Sequence, residues 1–406
     1  MQTPDDLPLL DISGAAFRAD PNAVLAACRA RHWIARSARG FAVLSYDGCE
    51  QILSDPRWVP GIGQILASRG GVEVSSKLQG RNLLTSEGSE HQQLRQAVQP
   101  WFTARRIDEL RTRTRRLICD LLDQATTADS FDFHSEIAMK IPSRVFCWMI
   151  GADESDASQI ASWSGSAIKA FNDIPDEWAE VNAAINSLAS YVVDLIERKR
   201  HNRADDLTSR LLAAAEDGII DRQDVASLLL EILAASSDNS SHSASIMVSL
   251  LCEYPDQWRA LTQDNSLIGS AVEESMRFMP RVRCGMHINL VEVDLGGLHF
   301  PAKTRFYLHI AAANRDPAVY PDPDRLDVSR RPARPQLGFG LGHHLCLGLS
   351  LARMELQEVL RVILEKWRML TFAGEPEYKV MDDVAIVRMP VSFQRNVSLA
   401  VTRDRE

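Results

Sequence analysis

The sequence predicts a mainly α-helical fold with a minor β region. Three observations predict it. Apolar residues recur at helical spacing through most of the first two-thirds of the chain. One helical stretch, about 221–253, is long enough to cross a whole domain, roughly 50 Å at 1.5 Å per residue. Strand-like alternation is confined to three regions, about 32–45, 286–310 and 378–402. With 45% hydrophobic and 24% charged residues the balance is that of an ordinary globular protein. No Pro/Gly/Ser-rich linker divides the 406 residues, so residues 1–406 read as one domain with an N-terminal extension over 1–20.

In chain order, helices are expected around 21–31, 47–54, 87–101, 105–126, 135–151, 155–171, 177–202 and 207–217. Ser155 and Pro175 mark starts and Gly151 a stop. Trp33 to Leu44 reads as a hairpin turning at Arg39-Gly40, and the Gly-punctuated 58–82 as a long loop. The stretch 221–253 begins apolar almost all round, which implies burial. The run Ser236-Ser237-Asp238-Asn239-Ser240-Ser241-His242 then interrupts it. Such side chains compete for backbone hydrogen bonds, so a helix break capped by Ser and Asp is one reading. A helix over 268–279 stops at Pro280. Short strands follow, with turns at Gly296-Gly297 and Pro301-Ala302, then an aperiodic stretch from Asn314 to Leu337 and a last long helix at about 346–367.

Composition excludes several classes. The net charge of −9 argues against nucleic-acid binding. The seven cysteines are spread singly, without the spacing of a zinc site or a disulfide framework. Met1 to Asp11 lacks the basic start and apolar run of a signal peptide, and no segment reaches the roughly 20 apolar residues of a membrane span. A cytoplasmic protein without a membrane anchor is expected.

The most informative stretch is Phe339-Gly340-Leu341-Gly342-His343-His344-Leu345-Cys346-Leu347-Gly348. Its glycines permit a tight backbone close to a flat ligand. Cys346 stands where the last helix is expected to begin, so amides and dipole there favour a thiolate, with Phe339 as a shield from water. The plain alternatives are a buried structural cysteine, or a redox or metal cysteine with His343 and His344.

The pattern Phe339-x-x-Gly342-x-His344-x-Cys346-x-Gly348 resembles the haem-binding signature of the cytochrome P-450 family. Glu274-x-x-Arg277 resembles the family's E-x-x-R pair, and Arg325 in Pro323-Asp324-Arg325 its third partner. His91-x-x-x-Arg95, Ala313-Asn314-Arg315-Asp316-Pro317 and Leu295-Gly296-Gly297 are similar to further stretches of bacterial members. The match runs from the early hairpin to the C-terminal region.

The resemblance implies the triangular, mainly helical P-450 fold around a buried haem b (iron protoporphyrin IX) with Cys346 as axial iron ligand. Gly340, Gly348 and Ala235 would line the haem. His91, Arg95 and His344 would meet its propionates. Counting back from Gly297, His287 stands where the family often has an arginine. Glu274, Arg277 and Arg325 would be structural, bracing the loop before Cys346. On the long central helix the family's Ala-Gly-x-Asp/Glu-Thr aligns with Ala235-Ser236-Ser237-Asp238-Asn239. The acid remains as Asp238, but Asn239 replaces the threonine. Both are the catalytic candidates, organising oxygen and protons. By the same analogy Ile62, Ile65, Phe171, Leu230, Ala234, Val282, Met286 and Phe393 line the substrate pocket. They are mostly apolar, which fits a lipophilic small molecule, with natural-product metabolism as the preferred setting.

The expected function is therefore O2-dependent monooxygenation, with electrons from a ferredoxin and its reductase, because no flavin or nicotinamide fingerprint appears. The basic run Arg105, Arg106, Arg111, Arg113, Arg115 and Arg116 is the candidate docking face, a salt-bridged solvated helix being the alternative. The Ser236/Asn239 departure also suggests a peroxide-driven or non-oxygenating haem-thiolate enzyme, such as a dehydratase or coupling oxidase. A haem-based sensor is the non-enzymatic reading.

Overall fold

The computed structural model describes residues 4–62, 80–126, 128–167, 169 and 178–396. The expected helices are present as Pro21–Arg31, Tyr46–Ser54, Gly88–Val98, Ala104–Ala125, Lys140–Ile150, Ala157–Ala167, Trp178–His201, Leu207–Glu216, Ile268–Phe278 and Leu349–Lys366. Gly151 ends Lys140–Ile150 in the left-handed conformation at φ 71°, which costs glycine nothing. The start assigned to Ser155 lies earlier. Asp153 accepts the Ser155 amide at 2.9 Å, capping a short turn that feeds Ala157–Ala167. A π turn, His134–Ala138, opens the helix expected from 135. Pro255–Gln263 is an added helix that the sequence reading leaves out.

The long helix expected over about 221–253 is present, and the alternative, a break at its polar run, does not occur. Arg222–Glu253 is continuous over 32 residues. Its polar residues turn back onto the helix's own carbonyls: Ser236 Oγ donates to Leu233 O at 3.0 Å, Asn239 Nδ2 to Ala235 O at 3.3 Å, and Ser241 Oγ to Asp238 O at 2.9 Å. The competition that argued for a break is thereby satisfied inside the helix.

Twelve strands are present among the described residues. β1 (Ile34–Ser37), β2 (Gly40–Val43), β8 (Arg305–Leu308), β5 (Gly285–Asn289) and β3 (Trp58–Pro60) form one sheet in that order. β4 (Ser130–Asp132), β12 (Pro390–Arg395) and β9 (Trp367–Phe372) form a second. β6 (Val293–Leu295) pairs with β7 (Leu298–Phe300), and β10 (Glu377–Val380) with β11 (Val384–Arg388). The main core gathers the helices around the central one, with Leu228, Leu229, Leu233, Val248 and Trp258 buried. A second core lies under the five-stranded sheet, where Phe41, Phe300 and Phe306 meet edge to face or tilted. The final helix packs on Ala104–Ala125 and on the helix carrying Glu274.

Glu274 and Arg277 are buried and doubly bonded, at 2.7 and 2.9 Å. Arg277 also donates to the carbonyls of Asn314 and Pro323 at 2.9 and 2.8 Å. The third partner is not Arg325. Its side chain is exposed, and only its carbonyl accepts, from Arg277 Nη2 at 3.3 Å. Arg330 takes the place, with Nε 3.1 Å from Glu274 Oε1. The Asp327 amide reaches the same oxygen at 2.9 Å. The chain turns the Arg325 carbonyl inward, which leaves its side chain to solvent.

Candidate haem-thiolate site

Cys346 lies three residues before the final helix rather than at its first turn. Its amide donates to Phe339 O at 2.9 Å, closing the loop on itself. Gly340 and Gly342 hold φ +68° and +70°, and a Cβ on Gly342 would strike the Leu53 carbonyl. Around Gly348 a Cβ would meet only the sulfur, at 4.0 Å. Burial pushes the Cys346 thiol up, partly opposed by the Gly348 amide, Arg95 and Arg353. The local field alone therefore does not make the thiolate, and a bound metal would. Arg353 covers the Phe339 ring at 5.0 Å and is tied to Glu273 at 2.6 Å.

Beside this loop, histidines and cations converge. His91, on Gly88–Val98, is buried with its ring 4.5 Å from that of His344. Burial, His344 and Arg95 lower His91 to about 4, so it is neutral near pH 7. Arg95 Nη1 donates to the His343 carbonyl at 3.2 Å. His287 on β5 is lowered by burial and by His344 to about 4. Its Nδ1 is buried without a well-formed hydrogen bond. Glu87 closes the group, accepting from His343 Nε2 at 3.1 Å and His344 Nε2 at 2.9 Å. The sequence reading misses Glu87. The signal is an acid four residues before His91, at a helix N-cap where its carboxylate serves the histidines instead of the helix amides.

On the facing side, Ala235 is exposed in mid-helix between buried turns, and Asn239 is half-buried. Asp238 Oδ2 accepts from Arg281 Nη2 at 2.6 Å, and Oδ1 lies 3.2 Å from His242 Nε2. Burial works to raise the Asp238 carboxyl, but His242 and Arg281 outweigh it and hold it at about 2.

Of the pocket candidates, Ile62 is buried and Leu230, Ala234 and Met286 are half-buried. Met286 packs where a Gly61 side chain would stand. Val282 is exposed and bridges to Asp383. Phe393 is half-buried on β12, stacked on Trp367 at 5.0 Å and 6.1 Å from Phe131. Ile65 and Phe171 lie outside the described residues.

A thiol in a glycine-lined bend, histidine and arginine donors beside it, and a partnerless buried ring nitrogen fit a flat iron-bearing group with carboxylate arms. The family model for cytochrome P450 matches residues 64–397. This chain belongs to the cytochrome P450 family. It is a monooxygenase-type oxidoreductase with a haem-iron cofactor. Luteothin monooxygenase of Streptomyces thioluteus is 29% identical over 91% of this chain and 92% of its own length. Mycinamicin IV hydroxylase/epoxidase of Micromonospora griseorubida is 34% identical over 80% and 81%. Among solved structures, CalO2 superposes with TM-score 0.88 at 24% identity, covering 95% of this P450 and 99% of that chain. P450BioI, solved with a fatty-acyl carrier protein, gives 0.84 at 26% identity over 94% and 100%.

The basic run of this P450 is largely paired. Arg106 meets Asp205 at 2.8 Å, Arg111 Glu358 at 2.6 Å, Arg113 Glu154 at 3.1 Å and Arg115 Glu365 at 2.5 Å. Among the described residues no helix is long and apolar enough to cross a membrane.

Proposed function

We propose that this P450 oxidises a lipophilic small molecule with O2, using haem b held by Cys346. The observation that carries this reading is the Cys346 sulfur in its glycine bend, 2.9 Å amide-to-carbonyl closure included, beside the His91, Arg95 and His344 group. When bound, haem iron supplies the oxygen-activating redox chemistry. Cys346 holds it by a thiolate. His91, Arg95, His287 and His344 take the propionates, where a histidine offers at least one N–H donor in either protonation state. Ala235 and Gly340 leave room for the flat ring. Asp238 accepts hydrogen bonds on the distal side, and the Asn239 amide both donates and accepts. Ile62, Leu230, Ala234, Val282 and Met286 orient an apolar substrate and exclude water.

The relative named Mycinamicin IV hydroxylase/epoxidase, and the neighbour solved with an acyl carrier protein, support a natural-product intermediate as substrate. Electrons come from a separate ferredoxin and its reductase. Because five of the six arginines already face a carboxylate, Arg105 only at 3.9 Å from Glu109, the proposed docking relies on Arg116 and the exposed Arg105 with the rim of that network rather than on six free cations. A second reading, peroxide-driven or non-oxygenating chemistry, is favoured by one observation: Asp238 is held on both oxygens.

The reduced, carbon monoxide-treated protein is expected to absorb at the position typical of thiolate haem, and Cys346→Ala to lose that band. An imidazole-like spectrum in the unaltered protein overturns the ligand assignment. Product formation with ferredoxin, ferredoxin reductase and reduced nicotinamide supports the first reading, and turnover with peroxide alone supports the second.

A further inference from the structure

Arg281 follows Pro280 directly, between the helix bearing Glu274 and strand β5, and it is buried. Its two terminal nitrogens reach two acids on different elements. Nη2 meets Asp238 of the central helix at 2.6 Å and Nη1 meets Asp383, in the turn between β10 and β11, at 2.5 Å. The backbone repeats the link: Val384 N donates to Arg281 O at 2.8 Å, and Val282 bridges to Asp383. The other oxygen of Asp238 faces His242, whose tautomer is settled by its far side. Nδ1 accepts the Ile386 amide at 3.0 Å, so the proton sits on Nε2 and points at Asp238. His134, from the π turn, stacks on His242 at 4.6 Å and 16°, and is itself held by Ser245 at 2.9 Å. Among the described residues, the charged or titratable groups that face Asp238 are His242 from its own helix, Arg281 from the segment before β5, Asp383 through Arg281, and His134 behind His242.

A carboxylate that shuttles a proton must be able to turn and to hold the proton. Asp238 is held at both oxygens by donors that are themselves pinned. We propose that Arg281 is a positioning residue that clamps Asp238, through Asp383, as a fixed hydrogen-bond acceptor of the distal side. Proton carriage then passes to groups that Asp238 orients, not through Asp238 itself. The low carboxyl pKa agrees with this. The function of the clamp rests on the monooxygenase reading, whereas the clamp itself does not.

The test uses the full-length, haem-loaded protein with 13C-labelled aspartate carboxyls, and Asp238→Asn to assign the Asp238 band in infrared titrations. In the unaltered protein Asp238 is expected to stay ionised down to pH 4. In Arg281→Gln its midpoint is expected to rise by at least ~1 pH unit. Arg281→Lys should bring the midpoint back down toward that of the unaltered protein. If Arg281→Gln leaves Asp383 unpaired and fails to fold, the double variant Arg281→Gln/Asp383→Asn, which removes that charge too, is titrated instead. An unmoved midpoint in the folded variant overturns the clamp, whatever the enzyme's reaction. With an identified substrate, product formed per nicotinamide consumed should fall several-fold in Arg281→Gln and recover in Arg281→Lys. Unchanged coupling and pH profile, with the midpoint shifted, overturn the positioning role alone.

Discussion

Arg330 Nε lies 3.1 Å from Glu274 Oε1, so a half-buried arginine joins the buried Glu274–Arg277 pair and also gathers the carbonyls of Pro321, Asp322 and Arg325. Removing Arg330 takes one donor from Glu274 Oε1 and the donor from three carbonyls, while Arg277 and the Asp327 amide still neutralise the acid. Arg330→Ala is therefore expected to cost about 1–3 kcal/mol and to impair haem incorporation. Arg325→Ala, on an exposed side chain, should stay within about 0.5 kcal/mol. Denaturant midpoints of the two variants decide between them, and equal losses would contradict the assignment.

The two arginines show where sequence reading stops. Helical spacing is legible because burial of one face repeats within a local window, which is how Pro21–Arg31 and Ile268–Phe278 emerge within a residue of their expected ends. Glu274 and Arg277 are legible for the same reason, three apart on one face. Which later arginine joins them depends on the turns of an aperiodic segment, where side-chain direction has no period to follow. Arg281 is less legible still: it pairs with an acid 43 residues away on another element. His242 looks like part of a helix break until Arg281 and Ile386 supply its surroundings. The Cys346 loop, by contrast, is legible through its glycines, because Gly342 must admit the Leu53 carbonyl.

Glu355, on the final helix, is fully buried, and its carboxylate oxygens lack well-formed hydrogen bonds. Burial raises it to about 8, with Ser240 opposing. A folded-state pKa above the unfolded one means that the native chain binds more protons between about 4.5 and 8. Stability contributed by this group is thus complete at low pH and falls as pH rises, by at most ~1.4 kcal/mol per pH unit. Glu355→Gln removes the titration. It is expected to raise the melting temperature at pH 8 relative to the unaltered protein and to narrow the difference between pH 5 and pH 8. Parallel pH slopes in the two proteins would contradict this.

Glu231, half-buried on the central helix, is also raised, to about 7, yet its response to the same substitution should be opposite. Its two oxygens accept the Leu83 and Leu84 amides at 2.7 and 2.8 Å, holding that segment on the central helix. Nearby, Arg81 meets Asp224 on both Nε and Nη2. A glutamine offers one carbonyl where the carboxylate offers two oxygens, so one buried N–H loses its acceptor. Glu231→Gln is expected to cost about 1–3 kcal/mol. Hydrogen exchange at Leu83 and Leu84 should speed up while the central helix stays protected. Unaltered exchange at both amides would show that the carboxylate is not their anchor.

Asn239 returns its amide to Ala235 O at 3.3 Å, so the side chain lies along the helix rather than breaking it. A threonine hydroxyl can make the same i to i−4 bond in a helix. Asn239→Thr should therefore preserve the helix and the haem spectrum. Since Thr can donate one hydrogen bond and Asn two, the variant separates a need for any donor from a need for the amide. Retained product formation is expected, because a hydroxyl whose proton rests on the Ala235 carbonyl can still accept from a water held by the fixed Asp238 carboxylate. Loss of product with the spectrum intact would mean that the second N–H, or the amide oxygen, is what the distal side uses.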